Sequence, residues 1–157
     1  MKRLLLSLLV IGLFSSCTVI GCSNSSTAAN QQSIENYLDS FSDIIIRAAD
    51  TSKEVSDLYK TASRLDRSYV IERCLAYGHD FDGYLGEITS LKCPQECDQL
   101  RKYGVDAISF CKQEITEFGA YYSTKDVSHL YKSESYYNDA QRVISLAAGE
   151  MERLERN

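Results

Sequence analysis

From residue 34 onward, apolar residues recur along the chain at alternating steps of three and four. The first run consists of Ile34, Leu38, Phe41, Ile45, Ala48, Ser52, Val55, Tyr59 and Ala62. A run with this period places its members on one face of an α-helix. It predicts one long amphipathic helix, which bends near Leu65 and Tyr69 or continues to Tyr77, with Gly78 as its stop.

Glycine and proline residues divide the middle of the chain. His79 to Gly86 contains Asp-Gly and a second glycine, which predicts a loop. Pro94, the single proline, suits the first turn of a short helix that ends near Gly104. A further helical stripe then runs through Val105, Ile108, Cys111, Ile115, Phe118 and Tyr122.

A last helix is predicted after a cap at Ser123 or Thr124, with Asp126 in its first turn. Its stripe runs through Val127, Leu130, Tyr137, Ala140, Ile144, Ala147, Met151 and Leu154. No segment alternates with period two over enough residues to predict a strand. Four or five helices with short connections indicate an all-α fold, an antiparallel helical bundle formed by residues 33–157.

The first 21 residues differ from the rest. Met1-Lys2-Arg3 is basic, residues 4–14 are largely apolar, and small residues follow. This is the pattern of a secretory signal peptide, and its apolar stretch is shorter than the roughly 20 residues that span a bilayer. The next segment, 22–32, is polar from Ser23 onward, and we expect a flexible tether there.

Val19-Ile20-Gly21-Cys22, at the end of this signal, resembles the lipobox of bacterial lipoproteins. The resemblance implies that Cys22 carries acyl chains such as palmitate and becomes the first residue of the mature chain. It also implies a cell-envelope location. Because Ser23 follows the cysteine, the location would be the outer membrane, facing the periplasm, in a host with two membranes. Each buried methylene contributes about 0.8 kcal/mol, so multiple acyl chains hold a protein firmly to the membrane.

Cys17 is the alternative lipidation site, because Phe14-Ser15-Ser16-Cys17 is a looser match to the same pattern. The number of cysteines favours Cys22. Cleavage there leaves four further cysteines, an even number that can close as two disulfides in an oxidising compartment. Cleavage before Cys17 would leave Cys22 as a spare thiol.

The four remaining cysteines are Cys74, Cys93, Cys97 and Cys111, and we predict that two disulfides staple the bundle. Cys97 and Cys111 lie seven residues either side of Gly104, as they would in a helical hairpin that turns there. Cys74 and Cys93 flank the predicted loop in a similar way. This favours Cys74–Cys93 with Cys97–Cys111, and the main alternative is Cys74–Cys97 with Cys93–Cys111. Each bond would contribute about 3 kcal/mol.

Cys93 and Cys97 also support a second hypothesis, a thiol- or copper-handling envelope protein. Thiolates favour Cu(I), and His79 or His129 would have to complete such a site. A thiol redox motif usually has two residues between its cysteines and follows a strand, whereas three residues separate this pair. We therefore predict structural disulfides, no metal and no cofactor.

A third hypothesis is an enzyme centred on residues 79–87. Asp80, Asp82 and Glu87 would supply its carboxylates and would need a concave pocket around them. The segment starts like a calcium loop, but Gly83 and Glu87 fall too early for that pattern. The sequence contains no nucleophile motif and no glycine-rich phosphate loop, and we assign no catalytic residue.

Eleven tyrosines and no tryptophan are the unusual feature of the composition. Neighbouring residues on a helix point about 100° apart, so a tyrosine doublet cannot bury both rings on one narrow face. Exposed tyrosines are frequent at protein interfaces. We therefore predict a partner-binding surface at Tyr121, Tyr122, Tyr136 and Tyr137. Rim tyrosines of the bundle are the alternative.

The net charge bears on the class of partner. The full chain carries −5, which becomes about −7 once Lys2 and Arg3 leave with the signal. An acidic domain gains nothing electrostatically from nucleic acid and suits a basic partner. We predict a non-enzymatic, lipid-anchored module that binds another envelope protein or an incoming protein, in an assembly (pilot), exclusion or immunity role.

Overall fold

The computed structural model describes residues 25–156. Its elements, in chain order, are α1 (Ser25–Thr61), a 3₁₀ turn (Ala62–Arg64), α2 (Arg67–Ser90), a second 3₁₀ turn (Gln95–Cys97), α3 (Asp98–Thr124) and α4 (Ser128–Glu155). No strand occurs in this part of the chain, so the predicted all-α fold is confirmed. The predicted signal peptide, Cys17 and Cys22 lie outside the described residues. The predicted tether lies outside them up to residue 24 and coincides with the start of α1 from Ser25 onward.

The helices form a bundle in which α3 lies between α2 and α4, and α1 packs on α2 and α3. Contacting residues show the directions of the helices. On α2 and α3, Cys74 faces Gly119 whereas Ile88 faces Gly104. On α3 and α4, Glu117 contacts His129 whereas Phe110 stacks on Tyr136. Residue numbers fall on one helix as they rise on its neighbour, so both pairs are antiparallel.

α1 is the long amphipathic helix that the first stripe predicts. Its buried positions recur at steps of four and three, at Tyr37, Phe41, Ile44, Ala48, Thr51, Val55 and Leu58. Three of these belong to the predicted stripe, whereas Ile34, Leu38 and Ile45 are half buried beside the core. The predicted period is therefore correct. The centre of the buried face is rotated slightly, because α1 contacts two helices and buries the face between them.

The chain reverses direction between α1 and α2. After Thr61 a 3₁₀ turn follows, and the backbone at Leu65 and Asp66 is extended. Of the two alternatives, a bend near Leu65 or a helix that continues to Tyr77, the structure shows the break near Leu65.

The predicted helix stop at Gly78 and the predicted loop over 79–86 are wrong. α2 continues through this segment to Ser90. Tyr77, Phe81 and Ile88 are buried on one face of the helix, and burial of that face outweighs the roughly 1 kcal/mol that a helical glycine costs relative to alanine. The Asp-Gly pair therefore lies on the exposed side of a continuous helix.

The predicted end of a short helix near Gly104 is also wrong. Pro94 accepts a hydrogen bond from the Cys97 backbone N–H (2.9 Å) in the 3₁₀ turn, and α3 then runs unbroken to Thr124. A Cβ at Gly104 would lie 2.5 Å from Ile88 Cδ1 and 2.6 Å from Phe41 Cε2. This glycine lets three helices approach closely and does not end one.

The two predicted disulfides are absent from the described residues, where Cys74, Cys93, Cys97 and Cys111 are all free thiols. Both pairings assumed turns that do not exist. Cys97 precedes α3 and Cys111 lies within it, so about 14 residues of helix, roughly 21 Å, separate them. A disulfide requires Cα atoms within about 7 Å. Cys74 lies near the start of α2 and Cys93 beyond its end. The alternative pairings fail too, because Cys74 faces Gly119, more than 20 residues along α3 from Cys97.

The last helix begins later than predicted. Ser123 and Thr124 still belong to α3, and their hydroxyls bond back to the Gly119 and Ala120 carbonyls. The Asp126 carboxylate accepts the Ser128 backbone N–H (2.9 Å) at the start of α4. Val127 occupies the N-cap position of α4, so the capping role predicted for Ser123 or Thr124 is wrong.

Candidate functional site

The two ends of the bundle differ in how their apolar residues are covered. We call residues 57–75 and 121–132 the distal end, because this end lies furthest from the start of α1. Four large apolar side chains are strongly exposed there: Tyr131 (68%), Leu75 (63%), Val127 (53%) and Tyr69 (48%). Leu65 is exposed as well. Five of the eight large exposed hydrophobic side chains in residues 30–156 therefore belong to the distal end.

The loop between α3 and α4 is built by short-range hydrogen bonds. Lys125 adopts a left-handed backbone (φ 65°) and donates its N–H to the Tyr121 carbonyl (2.7 Å), which is a common way to end a helix. The Thr124 hydroxyl accepts the Asp126 N–H (3.2 Å). The Arg67 guanidinium donates to the Ser123 carbonyl and ties the start of α2 to this loop.

Aromatic rings connect the distal end to the core. The Tyr59 ring lies 4.1 Å from that of Phe118, and Phe118 lies 5.1 Å from Tyr122. Tyr121 contacts Tyr122 edge to face at 5.3 Å. The Lys125 ammonium lies 4.6 Å above the Tyr122 ring and 5.3 Å above the Tyr121 ring, as in a cation–π contact. Tyr121 and Tyr122 are thus half-buried members of a ring stack beneath the distal surface.

The other predicted tyrosines lie elsewhere. Tyr136 stacks on Phe110 at 6.3 Å in the middle of the α3–α4 contact, and Tyr137 is moderately exposed on the side of α4. The structure therefore brings Tyr121 and Tyr122 together at one end and leaves Tyr136 and Tyr137 outside that group. Each doublet keeps part of its surface accessible. Tyr131, the most exposed large hydrophobic side chain of the described residues, was not among the predicted site residues.

A shallow apolar groove opens between α2 and α3 next to the distal end. It encloses about 130 Å³ and is lined by Ile71, Cys74, Leu75, Thr116, Gly119, Ala120 and Ser123. Gly119 is one of these lining residues, and a Cβ there would lie 2.9 Å from the Cys74 Cβ. The close approach of the two helices leaves the exposed Leu75 at the rim of the groove.

The charge of the distal end is opposite in sign to that of the whole chain. Residues 57–75 and 121–132 contain six Lys or Arg and four Asp or Glu, although the full chain is acidic. Asp57 pairs with Lys60 (2.6 Å), and the basic residues Lys60, Arg64, Arg67, Arg73, Lys125 and Lys132 surround the exposed apolar side chains in sequence. Arg73 pairs with Glu54 of α1 (3.5 Å), and the remaining excess of basic residues is opposite in sign to the net charge of the chain.

A buried polar cluster lies between α1, α3 and α4. Glu114 on α3 is 8% exposed, and burial raises its pKa to about 7, opposed by its interaction with the Tyr59 hydroxyl. Burial also raises the pKa of Tyr59 well above its usual value, and Glu114 raises it further, while Ser133 of α4 lowers it. The Tyr59 hydroxyl itself makes no hydrogen bond of regular geometry among the described residues.

Glu114 is not among the site residues predicted from the sequence, although its position carries a signal. Glu114 follows Cys111 by three residues and precedes Phe118 by four, so it lies on the same helical face as the predicted stripe. A carboxylate in an apolar stripe is costly unless it is neutralised or paired. One turn further along, Glu117 contacts His129 Nδ1 at 2.5 Å and closes the α3–α4 contact.

Burial dominates the chemistry of the cysteine thiols. It raises the pKa of Cys74 and of Cys111 to about 12 and that of Cys97 to about 11, the last also through the nearby Cys93. Burial raises the pKa of Cys93 too, opposed by the Tyr37 hydroxyl and Arg101. The thiolate is the reactive and metal-binding form, so these environments disfavour the thiol- or copper-handling hypothesis. Residues 25–156 hold no group of three or more His, Cys, Asp or Glu side chains that could bind a metal ion.

The carboxylates of residues 79–87 do not form a pocket. Asp82 pairs with Lys112 of α3 (2.6 Å) and Glu87 pairs with Arg47 of α1. Asp80, like the other two, is exposed on the outer face of α2. These carboxylates are exposed or paired with cations of neighbouring helices, and they do not form the cluster that the enzyme hypothesis requires.

None of the helices in residues 25–156 combines the length and the apolar character that crossing a membrane requires. The described part of the molecule thus offers one distinctive surface, the distal end, and one distinctive interior cluster, around Glu114. Comparison with known protein families, with curated proteins and with solved structures found no match for this chain.

Proposed function

We propose that this chain is a lipid-anchored protein of the cell envelope that binds a second protein through its distal end. The observation that carries the proposal is the concentration of exposed apolar side chains there, Leu65, Tyr69, Leu75, Val127 and Tyr131. Single exposed apolar residues are ordinary, but a group of them at one place marks an interaction surface. Tyrosine suits such a surface, because it offers a large contact area with a polar tip.

The position of the anchor supports the choice of end. Ser23 and Asn24 separate Cys22, the proposed lipidation site, from the start of α1. α1 contains 37 residues, and at 1.5 Å per residue it is about 55 Å long. An anchor at Cys22 would therefore hold the start of α1 at the membrane and present the opposite end of the bundle to other proteins.

The chemistry of the surface indicates the kind of partner. Six basic and four acidic residues accompany the exposed apolar side chains, and complementary charge gives specificity and faster association. We infer a partner protein that carries an apolar patch bordered by acidic side chains. An assembly, exclusion or immunity role is compatible with such a partner.

Site-specific photo-crosslinking in cells tests the proposal. A photoreactive amino acid at Tyr131 or Tyr69 should give one shared adduct with one envelope protein. The same probe at Leu146 or Ile46, which are also exposed but lie away from the distal end, serves as the matched control. The adduct should then form between the two purified proteins.

Two results would overturn the proposal. In the first, all four positions crosslink equally, or only the control positions crosslink. In the second, the purified chain without its lipid binds vesicles of anionic lipid through Tyr131 and no protein adduct forms, which would identify a membrane as the occupant.

A further inference from the structure

Glu114, Tyr59 and Ser133 bring side chains of three helices together at one buried place. The Glu114 side chain comes from α3 and is almost fully buried, Tyr59 comes from α1, and Ser133 comes from α4 and is also buried. No Lys, Arg or His of the described residues lies within ion-pair distance of Glu114. A buried carboxyl group with no cation nearby is more stable in its neutral form, which can donate a hydrogen bond, than in its ionised form.

Each of the four helices contributes titratable groups near Glu114. α1 contributes Tyr59, and α2 contributes Cys74, which acts on Tyr59. α3 contributes Cys111 and Glu117. Burial raises the pKa of Cys111 most, and Glu114 raises it further. α4 contributes His129, which contacts Glu117. Since neither the phenol of Tyr59 nor these buried thiols ionise near neutral pH, Glu114 is the buried group of this cluster that can change charge there.

Packed aromatic rings connect this cluster to the distal end. Tyr59, which faces Glu114, lies 4.1 Å from Phe118, and the ring stack continues through Tyr122 to Tyr121. Lys125 at the turn covers the last two rings. A displacement of Tyr59 would therefore disturb the packing beneath the distal surface.

We propose that Glu114 is a proton-operated switch: in its neutral form it holds α1 against α3 and α4, and in its ionised form it loosens this contact and the ring stack beneath the distal end. Loosening follows because an ionised carboxylate in this position draws in water or moves toward it. The effect on partner binding rests on the proposed function, whereas the loosening of α1 does not.

The pH range follows from the burial of Glu114. Its pKa is raised from the usual 4.5 to about 7, so the folded state binds the proton more tightly than the unfolded state. The contribution to stability is complete below pH 4.5 and is lost as the pH rises toward and through 7. Acidification therefore tightens the bundle, which is opposite to the usual behaviour of a carboxylate in an ion pair.

Native-state hydrogen exchange between pH 5.5 and 8.5 tests the switch on the purified full chain. Amide protection factors of residues 52–61, corrected for the intrinsic rate, should fall by about tenfold or more in the unaltered protein. They should be nearly independent of pH in Glu114→Gln, whose side chain is similar in shape and always neutral. His129→Gln is the matched control, because histidine in general changes charge in this range, and it should keep the dependence on pH.

A second variant keeps the test decisive if Glu114→Gln fails to fold. The Tyr59 hydroxyl lowers the pKa of Glu114, so Tyr59→Phe should move the midpoint of the transition, and of the Glu114 carboxyl ¹³C titration, to higher pH. The proposal is wrong if Glu114→Gln and the unaltered protein have the same pH profile, or if the dependence disappears in His129→Gln instead.

Crosslinking from position 131 distinguishes the two proposals. If exchange depends on pH as described but the crosslink yield does not, Glu114 does not control the distal end, and that part of the switch is wrong. If exchange does not depend on pH while crosslinking from Tyr131 is specific, the switch fails and the proposed function stands.

Discussion

The distal end is best understood by comparison with the other end of the bundle, residues 30–41, 86–101 and 147–156, which we call the proximal end. There the apolar side chains are covered: Tyr37, Leu100 and Leu154 are buried, and Leu100 is completely inaccessible. Charged side chains at this end pair with close neighbours, as in Arg101–Asp98 (2.9 Å) and Arg156–Glu152 (2.8 Å).

The charges of the two ends also differ. The proximal end contains eight acidic and four basic residues, and the distal end contains four acidic and six basic residues. The same kind of helical packing therefore ends in an acidic surface with covered apolar side chains on one side and in an exposed, apolar and mildly basic surface on the other. The comparison indicates that a helical end of this bundle does not require exposed residues such as Tyr131 and Val127, because the proximal end covers its large apolar side chains.

The largest effect is expected from removing the proposed lipid anchor at Cys22, which would orient the two ends relative to the membrane. Cys22→Ala should abolish labelling by a palmitate analogue and release the mature protein from the membrane fraction. Cys17→Ala should leave both unchanged. Labelling and fractionation of cells that express each variant measure this directly. Loss of labelling in Cys17→Ala alone would move the anchor to Cys17.

The next largest effect should come from charge placed within the distal surface. Val127→Asp and Tyr69→Asp should reduce the adduct formed from a crosslinker at position 131 by about tenfold or more, because truncation of interface anchors commonly costs above 1 kcal/mol. Leu146→Asp is the matched control and should reduce it little. Thermal unfolding should be almost unchanged in all three, because these side chains are exposed. Equal losses in all three would contradict the difference between the distal end and the side of the bundle.

Much of the fold could be predicted from the sequence, because the three-and-four spacing reports directly which residues face the core. The long helix α1 and the all-α class followed from that spacing alone. The errors lay at Gly78, at the Asp-Gly pair and at Gly104, where local signals indicated turns. Tertiary packing decided those positions: Phe41 and Ile88 occupy the space that a Cβ at Gly104 would need, and a single sequence does not show that neighbour.

The candidate site was predictable in part. The two tyrosine doublets were predicted to be partly exposed. Tyr121 and Tyr122 lie under the distal surface. Tyr136 and Tyr137 lie on the side of the bundle. Tyr131 was missed because it is isolated in sequence and stands outside the predicted stripe. Its place at the open end becomes visible once the α3–α4 turn is known.

A smaller effect is expected from filling the close contact between Gly104, Phe41 and Ile88, next to the proximal end. Gly104→Ala should destabilise the fold by about 1–3 kcal/mol, because the new methyl group overlaps buried atoms of Phe41 and Ile88. The higher helix propensity of alanine offsets part of this loss. Gly83→Ala meets nothing within 4 Å and should stabilise by about 0.5–1 kcal/mol. Denaturant unfolding measures the free energy of unfolding of both variants. Stabilisation by Gly104→Ala would contradict the close approach of the three helices.

The smallest effect concerns the order in which thiols react. Cys93 at the proximal end is half buried, whereas Cys97 is inaccessible and Cys74 nearly so. Alkylation of the native protein at pH 8, followed by peptide mass spectrometry, should modify Cys93 first and Cys97 and Cys74 after unfolding. If unfolding without a reductant exposes no thiol, the cysteines are paired and the assignment of four free thiols is wrong.

The central claim, that the distal end is covered by a partner in the cell, is tested most directly by hydroxyl-radical footprinting of tyrosines. The same side-chain chemistry is compared at Tyr69 and Tyr131 of the distal end and at Tyr137 on the side of α4. In intact envelopes, relative to the purified protein, modification of Tyr69 and Tyr131 should fall while that of Tyr137 stays the same. Unchanged modification at all three, or protection of Tyr137 alone, would contradict the account.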